Sequence, residues 1–262
     1  MTRYVILQKL YGVRKKACAD ALAKYLRTQA SELEVAVSLI GETKRGWAIV
    51  DIAGSDERVF AKYIGRKIGI APTTFEELKP GIILRGKAVD VGKVGYGLFV
   101  DVGLDEYIDA FISLYTLRRQ LADGARVSAR TILRTYCIVE NFPMSIRLIK
   151  TDKASGEMEA ELSDQQISMF ENWYTNGFER VLAFGISAAD IDEALKKTGL
   201  KRYVVRLEQL GLFEHSILCK HGTEAPGIIA RLGEKLPGIP LSAFSPSKAK
   251  ALSGSPKINT TS

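Results

Sequence analysis

The sequence predicts an α+β protein of several domains with a glycine-bent β-barrel at its centre. Three observations predict it. Strand-like and helical runs alternate over the first third, short β-rich runs broken by glycines fill the middle, and capped helical runs recur in the last third. A length of 262 residues allows two or three ordinary domains. With 46% hydrophobic and 26% charged residues and a mean hydropathy near zero, the composition is that of a soluble globular protein.

Taken in order, Tyr4–Leu7 reads as a strand, and Arg14–Thr28 carries Ala17, Ala21, Leu22, Tyr25 and Leu26 at helical spacing. Leu33–Ile40 and Trp47–Ile52 read as a hairpin around the polar turn 41–46, and Ser55 caps a second helix. This makes a basic α+β domain over 1–70, followed by a proline-bracketed linker over 71–80. The β-rich runs 82–91, 96–102, 110–114, 146–151 and 157–162 form a barrel domain over 81–163. Between the third and fourth run, 125–140 reads as a helix ended by Asn141-Phe-Pro143. A C-terminal α/β domain covers 164–244. Its clearest element is the helix from Ser187, with acids in its first turn, lysines in its last and Gly199 as stop. Helices over 165–174 and 223–235 and a strand over 213–219 accompany it. Residues 245–262 are polar and basic and read as a disordered tail.

Several function classes drop out. No apolar run is long enough to cross a membrane, and the N-terminus lacks the pattern of a signal peptide. Three scattered cysteines (Cys18, Cys137, Cys219) give no disulfide framework and point to a reducing cytoplasm. The net charge is +7, which favours an anionic partner. Most of it lies in residues 1–80, at +5, whereas 81–163 is neutral.

The barrel's second strand, in the run GKVGYGLFVDVG over 92–103, holds two aromatics three apart, Tyr96 and Phe99. Strict alternation would put them on opposite faces. If Gly95 and Gly97 bend the strand, both can reach the outer surface and offer a stacking platform for bases. The alternative keeps Phe99 in the core and Tyr96 on the rim.

The segments GKAVDVGKVGYGLFVDVG (86–103), DAFISL (109–114), IRLIKTD (146–152) and GEMEAELS (156–163) resemble, in order, the S1 RNA-binding domain, an oligonucleotide-binding barrel. The resemblance implies that Tyr96 and Phe99 face RNA, single-stranded or structured. It sets Phe111 where the family has a binding histidine and Asp152 at the aspartate before the last turn. The family's first-strand lysine falls on Lys87. Its basic residue in the last turn falls on Glu157, with Lys153 nearby. The whole chain resembles the archaeal domain-of-unknown-function 2110 family. The carrying segments are YVILQKLYG (4–12), the barrel, the NFP turn and GLFEHSILCKHGTEAPGIIARLG (211–233). That resemblance implies an archaeal cytoplasmic protein with a nucleic-acid-related role, in translation, transcription or RNA processing, with the ribosome or transcription machinery as partner.

Three basic clusters accompany the barrel. Arg126, Arg130 and Arg134 fall at four-residue spacing, one stripe if 125–140 is helical, and Arg118 and Arg119 precede them; next to a stacking face this is a phosphate track. Arg14, Lys15 and Lys16 sit at a helix start, where the dipole disfavours cations, and Lys62, Arg66 and Lys67 follow on the second helix. Together they make a secondary anion-binding patch, or a solvated face.

The two histidines of the chain fall in His215-x3-Cys219-x-His221. With no fourth ligand in view, the motif reads as packing, and neither metal nor cofactor is expected. The residues 222–227, GTEAPG, follow a strand and open a helix as phosphate-cradling loops do, but lack a P-loop's lysine. No catalytic constellation assembles from two neighbouring histidines. The leading expectation is therefore a non-enzymatic RNA-binding protein. An enzyme holding a phosphate-bearing ligand at Gly222–Gly227 and a protein-interaction scaffold are the other two.

Overall fold

Apolar residues at alternating and helical spacing build the N-terminal part from β1 (Thr2–Lys9), α1 (Lys15–Gln29), β2 (Val35–Glu42), β3 (Trp47–Gly54) and α2 (Glu57–Lys67). The computed structural model of the chain describes residues 1–104, 108–152 and 154–254. The three strands form an antiparallel sheet in the order β1-β3-β2. Cys18, Leu22 and Leu26 repeat every four residues, so α1 presents one buried stripe, and α2 adds Phe60 and Ile64 to the same core. Ser55 does not cap α2. Asp56 takes the N-cap position, and its carboxylate accepts from the Glu34 N–H at 2.8 Å, tying the helix start to β2.

The linker is anchored rather than loose. Phe75 and Leu78, around a one-turn 3-10 helix, are buried in the barrel core. That barrel comprises β4 (Ile83–Val89), β5 (Gly97–Asp101), β6 (Ala110–Ser113), α3 (Leu114–Leu121), α4 (Ala129–Thr135), β7 (Pro143–Asp152) and β8 (Glu157–Leu162). Its strands close in the order β4-β5-β6-β8-β7, with β6 and β8 parallel and the other neighbours antiparallel. This is the arrangement of a small oligonucleotide-binding barrel. Ala88, Leu98, Val100, Ala110, Ile112, Ile146, Leu148 and Met158 fill it.

The insertion differs from the expected single helix over 125–140. Only α4 falls in that range and α3 precedes it, because Ser113 caps α3 and Ser128 caps α4, each hydroxyl accepting from the N–H three residues on at 3.1 Å.

After the barrel, α5 (Asp164–Thr175) packs Phe170 and Trp173 against Phe142, with ring centroids 5.9 and 6.5 Å away. The C-terminal sheet holds β9 (Arg180–Phe184), β10 (Val204–Gln209), β11 (Glu214–Cys219) and β12 (Leu241–Phe244) in the order β10-β11-β9-β12, antiparallel throughout. It carries α6 (Ala188–Lys197) and α7 (Ala225–Gly233). As the sequence predicts, Ser187 caps α6, accepting from the Asp190 N–H at 3.2 Å.

The chain does not end in a tail from Ser245. Residues Pro246–Ser253 form α8, which buries Pro246, Ala249 and Leu252, and Ala249 and Leu252 join the barrel's core cluster. The anchoring side chains are small, so a count of large apolar residues misses them. Residues 255–262 lie outside the described residues. Among the described residues, no helix is long and apolar enough to cross a membrane.

Candidate nucleic-acid interface

The pleat of β4, β5 and β6 sets what the barrel shows to the outside. Cross-strand partners share a face, so Lys87 pairs with Asp101, Val89 with Phe99, and Phe99 with Phe111, all pointing outward. At one end of this face the rings gather. Phe99 and Phe111 lie 5.1 Å apart between centroids, and Tyr96, just before β5, lies 6.3 Å from Phe99 and 5.5 Å from Phe111. Tyr96 is 59% exposed and the two phenylalanines are half-buried.

Gly97 makes this cluster possible. A Cβ there would stand 2.4 Å from Cε2 of Phe111 and 2.4 Å from the Ile112 carbonyl oxygen, so the Phe111 ring lies directly over glycine backbone. Gly95, expected to share in bending the strand, faces open space and contributes no such contact. Tyr96 reaches the face because it precedes the strand, its carbonyl accepting from the Leu114 N–H at 2.7 Å. Tyr115, on α3, is 77% exposed. It belongs to no sequence motif, although Leu114, Leu117 and Leu121 at helical spacing mark the inward side of α3 and leave Tyr115 on the other.

Other residues assigned to this face from the sequence are placed differently. Lys87 is only 3% exposed and its ammonium pairs with Glu214 of the C-terminal sheet at 2.7 Å, so it does not meet a strand lying across the ring cluster. Burial pulls its pKa below the ordinary lysine value, against the pull of Glu214. Arg118 donates to the Val127 carbonyl at 2.7 Å and holds the loop between α3 and α4. Arg119 pairs with Glu161 at 2.7 Å. Arg130 and Arg134 are exposed on α4, one turn apart; Arg126 is exposed but precedes the cap at Ser128 and is not part of a helical stripe. Asp152 accepts from the Ala154 and Ser155 N–H groups at 2.9 and 3.4 Å, which hold its carboxyl below the usual range and commit it to its own turn. Lys153 lies outside the described residues. On the β8 side, exposed Glu159 stands directly across from Phe111.

The opposite end of the same outer face is closed. Asp101 has no exposed surface and receives Lys9 at 2.7 Å, Arg45 Nε at 3.0 Å, Trp47 Nε1 at 3.0 Å and its neighbour Gly103 N at 2.9 Å. Arg45 also reaches Asp109 at 2.6 Å. These bonds fix the N-terminal sheet onto the barrel. Glu214 does the same for the third part, accepting from the Tyr11 hydroxyl at 2.7 Å while it pairs with Lys87.

The secondary basic patch divides. Arg14 pairs with Asp190 at 3.2 Å and Lys15 with Glu42, while Lys16, Lys62, Arg66 and Lys67 stay exposed. His215 and Cys219 are buried and His221 is exposed beyond the end of β11, so the three do not converge. Among the described residues, no group of three or more His, Cys, Asp or Glu could hold a metal ion. At Gly222–Gly227 the first N–H of α7, from Ala225, already donates to the Glu179 carboxylate at 2.6 Å, which puts negative charge where a phosphate would sit.

A closed five-stranded barrel set in an α+β framework defines the class of the fold. The chain belongs to the DUF2110 family: the DUF2110 N-terminal domain matches residues 3–73, the central domain 78–174 and the C-terminal domain 178–243. No curated protein matches it in sequence. Among solved structures it is similar to the uncharacterized protein MJ1198 from Methanocaldococcus jannaschii, at 13% identity over 33% of this chain and 95% of that one, with a TM-score of 0.23. It is also similar to GSP13 from Bacillus subtilis, at 14% identity over 34% of this chain and 58% of that one, with a TM-score of 0.22. The third is the intact alpha subunit of aIF2 from Pyrococcus abyssi, at 12% identity over 65% of this chain and 98% of that one, with a TM-score of 0.27.

Proposed function

We propose that the protein binds single-stranded RNA by stacking bases on the open end of the barrel's outer face. The observation that carries this reading is the three-ring cluster of Tyr96, Phe99 and Phe111, laid over Gly97 with Tyr96 59% exposed. Rings gathered on a sheet surface offer π-faces to any base. Glu159 repels phosphates on the β8 side. Exposed Tyr115 on α3 and exposed Arg126, Arg130 and Arg134 are our candidates for further stacking and phosphate contacts. A role in translation, transcription or RNA processing, with the ribosome or transcription machinery as partner, fits this chemistry.

Fluorescence anisotropy with a labelled single-stranded oligonucleotide tests it. Tyr96→Ala and Phe111→Ala are each expected to weaken binding by about 1–3 kcal/mol. Neutralising Arg126, Arg130 and Arg134 together is expected to weaken binding to all sequences. It should also flatten the salt dependence by roughly 0.7 for each phosphate that is no longer neutralised. Parental affinity in folded Tyr96 and Phe111 variants would refute the stacking face.

A further inference from the structure

A cleft of about 480 Å³ opens where the three parts of the molecule meet, and none of its lining belongs to the stacking face. The N-terminal part supplies Lys67 and the tyrosines Tyr25 and Tyr63, the barrel supplies Arg85, Lys87 and Ser145, and Gln166 comes from α5. Among the described residues, three cations line it and no aspartate or glutamate does. Arg85 is drawn to the end of α2 by donating to the Arg66 carbonyl at 3.0 Å, which sets its guanidinium beside Arg66 and Lys67.

Two buried donors in the lining keep hydrogens to spare. Lys87 gives one of its hydrogens to Glu214 at 2.7 Å and has no other protein partner among the described residues. Gln166 is 4% exposed; its carbonyl oxygen accepts from the Ser145 N–H at 2.9 Å, while its amide nitrogen reaches only the Met169 thioether, at 4.0 Å. Gly211 passes over the Lys87–Glu214 pair so closely that a Cβ there would stand 2.0 Å from the carboxylate and 3.3 Å from the ammonium. The glycine thereby keeps the space beside the pair free of a side chain. Leu7, Ile68, Met144 and Leu210 give the same cleft an apolar wall.

Tyr25, Gln209 and Leu212 also line a second cavity, of about 360 Å³ and mostly apolar. There His215 is 2% exposed, with Nε2 at 3.1 Å from the Ile186 carbonyl and Nδ1 without a hydrogen bond of good geometry. Burial holds its pKa below the ordinary histidine value.

Cations and spare donors beside apolar and aromatic wall describe a ligand with an anionic, acceptor-rich head and a flat or apolar body. We propose that this junction binds a phosphate-bearing ligand of mononucleotide size, either a free nucleotide or the phosphorylated end of an RNA strand. Lys67 and Arg85 meet the phosphate at the rim, and Lys87 and Gln166 donate from the floor. The proposal does not depend on base stacking at Tyr96.

Isothermal titration calorimetry on the full chain tests it, with AMP, GMP, CMP, UMP and inorganic phosphate as probes, alongside one oligonucleotide carrying either a 5′-phosphate or a 5′-hydroxyl. At least one mononucleotide, or the 5′-phosphorylated strand over its hydroxyl counterpart, is expected to bind and to raise the melting temperature. Lys67→Gln and Arg85→Gln, both at exposed positions, are each expected to weaken that binding roughly tenfold. Tyr96→Ala is expected to leave it unchanged while it reduces stacking-dependent RNA binding. A gain seen only with the 5′-phosphorylated strand identifies the strand end as the source; a gain with mononucleotides identifies the free ligand. If no probe binds, or if binding is indifferent to both Lys67→Gln and Arg85→Gln, the proposal is overturned.

Discussion

Asp101 and Phe99 lie two residues apart on one strand and point the same way, yet Asp101 is wholly buried while Phe99 stands half-open beside an exposed Tyr96. The same split runs across the sheet: Lys87 and Asp109 lie at the closed end, Phe111 at the open one. Strand geometry alone treats these positions alike. What separates them is the rest of the chain, which brings Lys9, Arg45, Trp47 and Glu214 onto one half of the barrel's outer face and leaves the other half bare. The closed half uses charge to fix the domains to one another, and the open half keeps rings on display. Charge on a barrel of this kind is therefore not by itself a sign of a ligand.

The contrast between the halves breaks most visibly if the charges of the closed half are dispensable. Asp101→Asn keeps the shape but leaves Lys9 buried against a neutral group while Arg45 keeps Asp109, and removing one partner of a buried pair costs about 3–5 kcal/mol. Urea denaturation followed by circular dichroism measures this. A loss below about 1 kcal/mol, the level of a surface pair, would mean that charge does not hold this half together.

Within the open half, Gly97→Ala sharpens the claim that the rings rest on bare backbone. The new methyl meets both the Phe111 ring and the Ile112 carbonyl, and the carbonyl belongs to a paired strand and cannot swing away. Overpacking of this kind costs about 1–3 kcal/mol and displaces Phe111, so stability and RNA affinity are expected to fall together. An unchanged melting curve would contradict the packing described.

The smallest expected effect has the opposite sign. Glu159 faces Phe111 across β8 and makes no ion pair among the described residues. Glu159→Gln is expected to raise RNA affinity two- to fivefold at low salt, about 0.5–1 kcal/mol, and the gain should fade as salt screens the charge. Weaker binding in that variant would place the strand's contacts on Glu159 itself.

Much of this is legible in the sequence where local pattern decides it. The five barrel strands and the capped helix at Ser187 follow from alternation and capping, glycine placement marks Tyr96 and Phe99, and Phe111 enters through the S1 resemblance. α3 is hidden because it begins at Leu114 with no break after β6, its only start signal being Ser113. α8 is hidden because proline, alanine and a single leucine anchor it. Lys87 is expected on this face from the S1 resemblance; the carboxylate that pairs with it, Glu214, is far away in sequence and belongs to another sheet. The junction cleft is illegible for the same reason, since its lining comes from every part of the chain and no short motif encodes it.

The central claim is that RNA bases stack on the open half and not on the closed one, and NMR of the aromatic side chains tests it most directly. Ring carbon–proton signals of Tyr96, Phe99, Phe111 and Trp47 would be followed while a single-stranded oligonucleotide is titrated into the full chain. The account predicts large, saturable shifts at Tyr96, Phe99 and Phe111 and none at Trp47, whose indole is buried on Asp101. RNA that binds tightly without moving the three ring signals would contradict it.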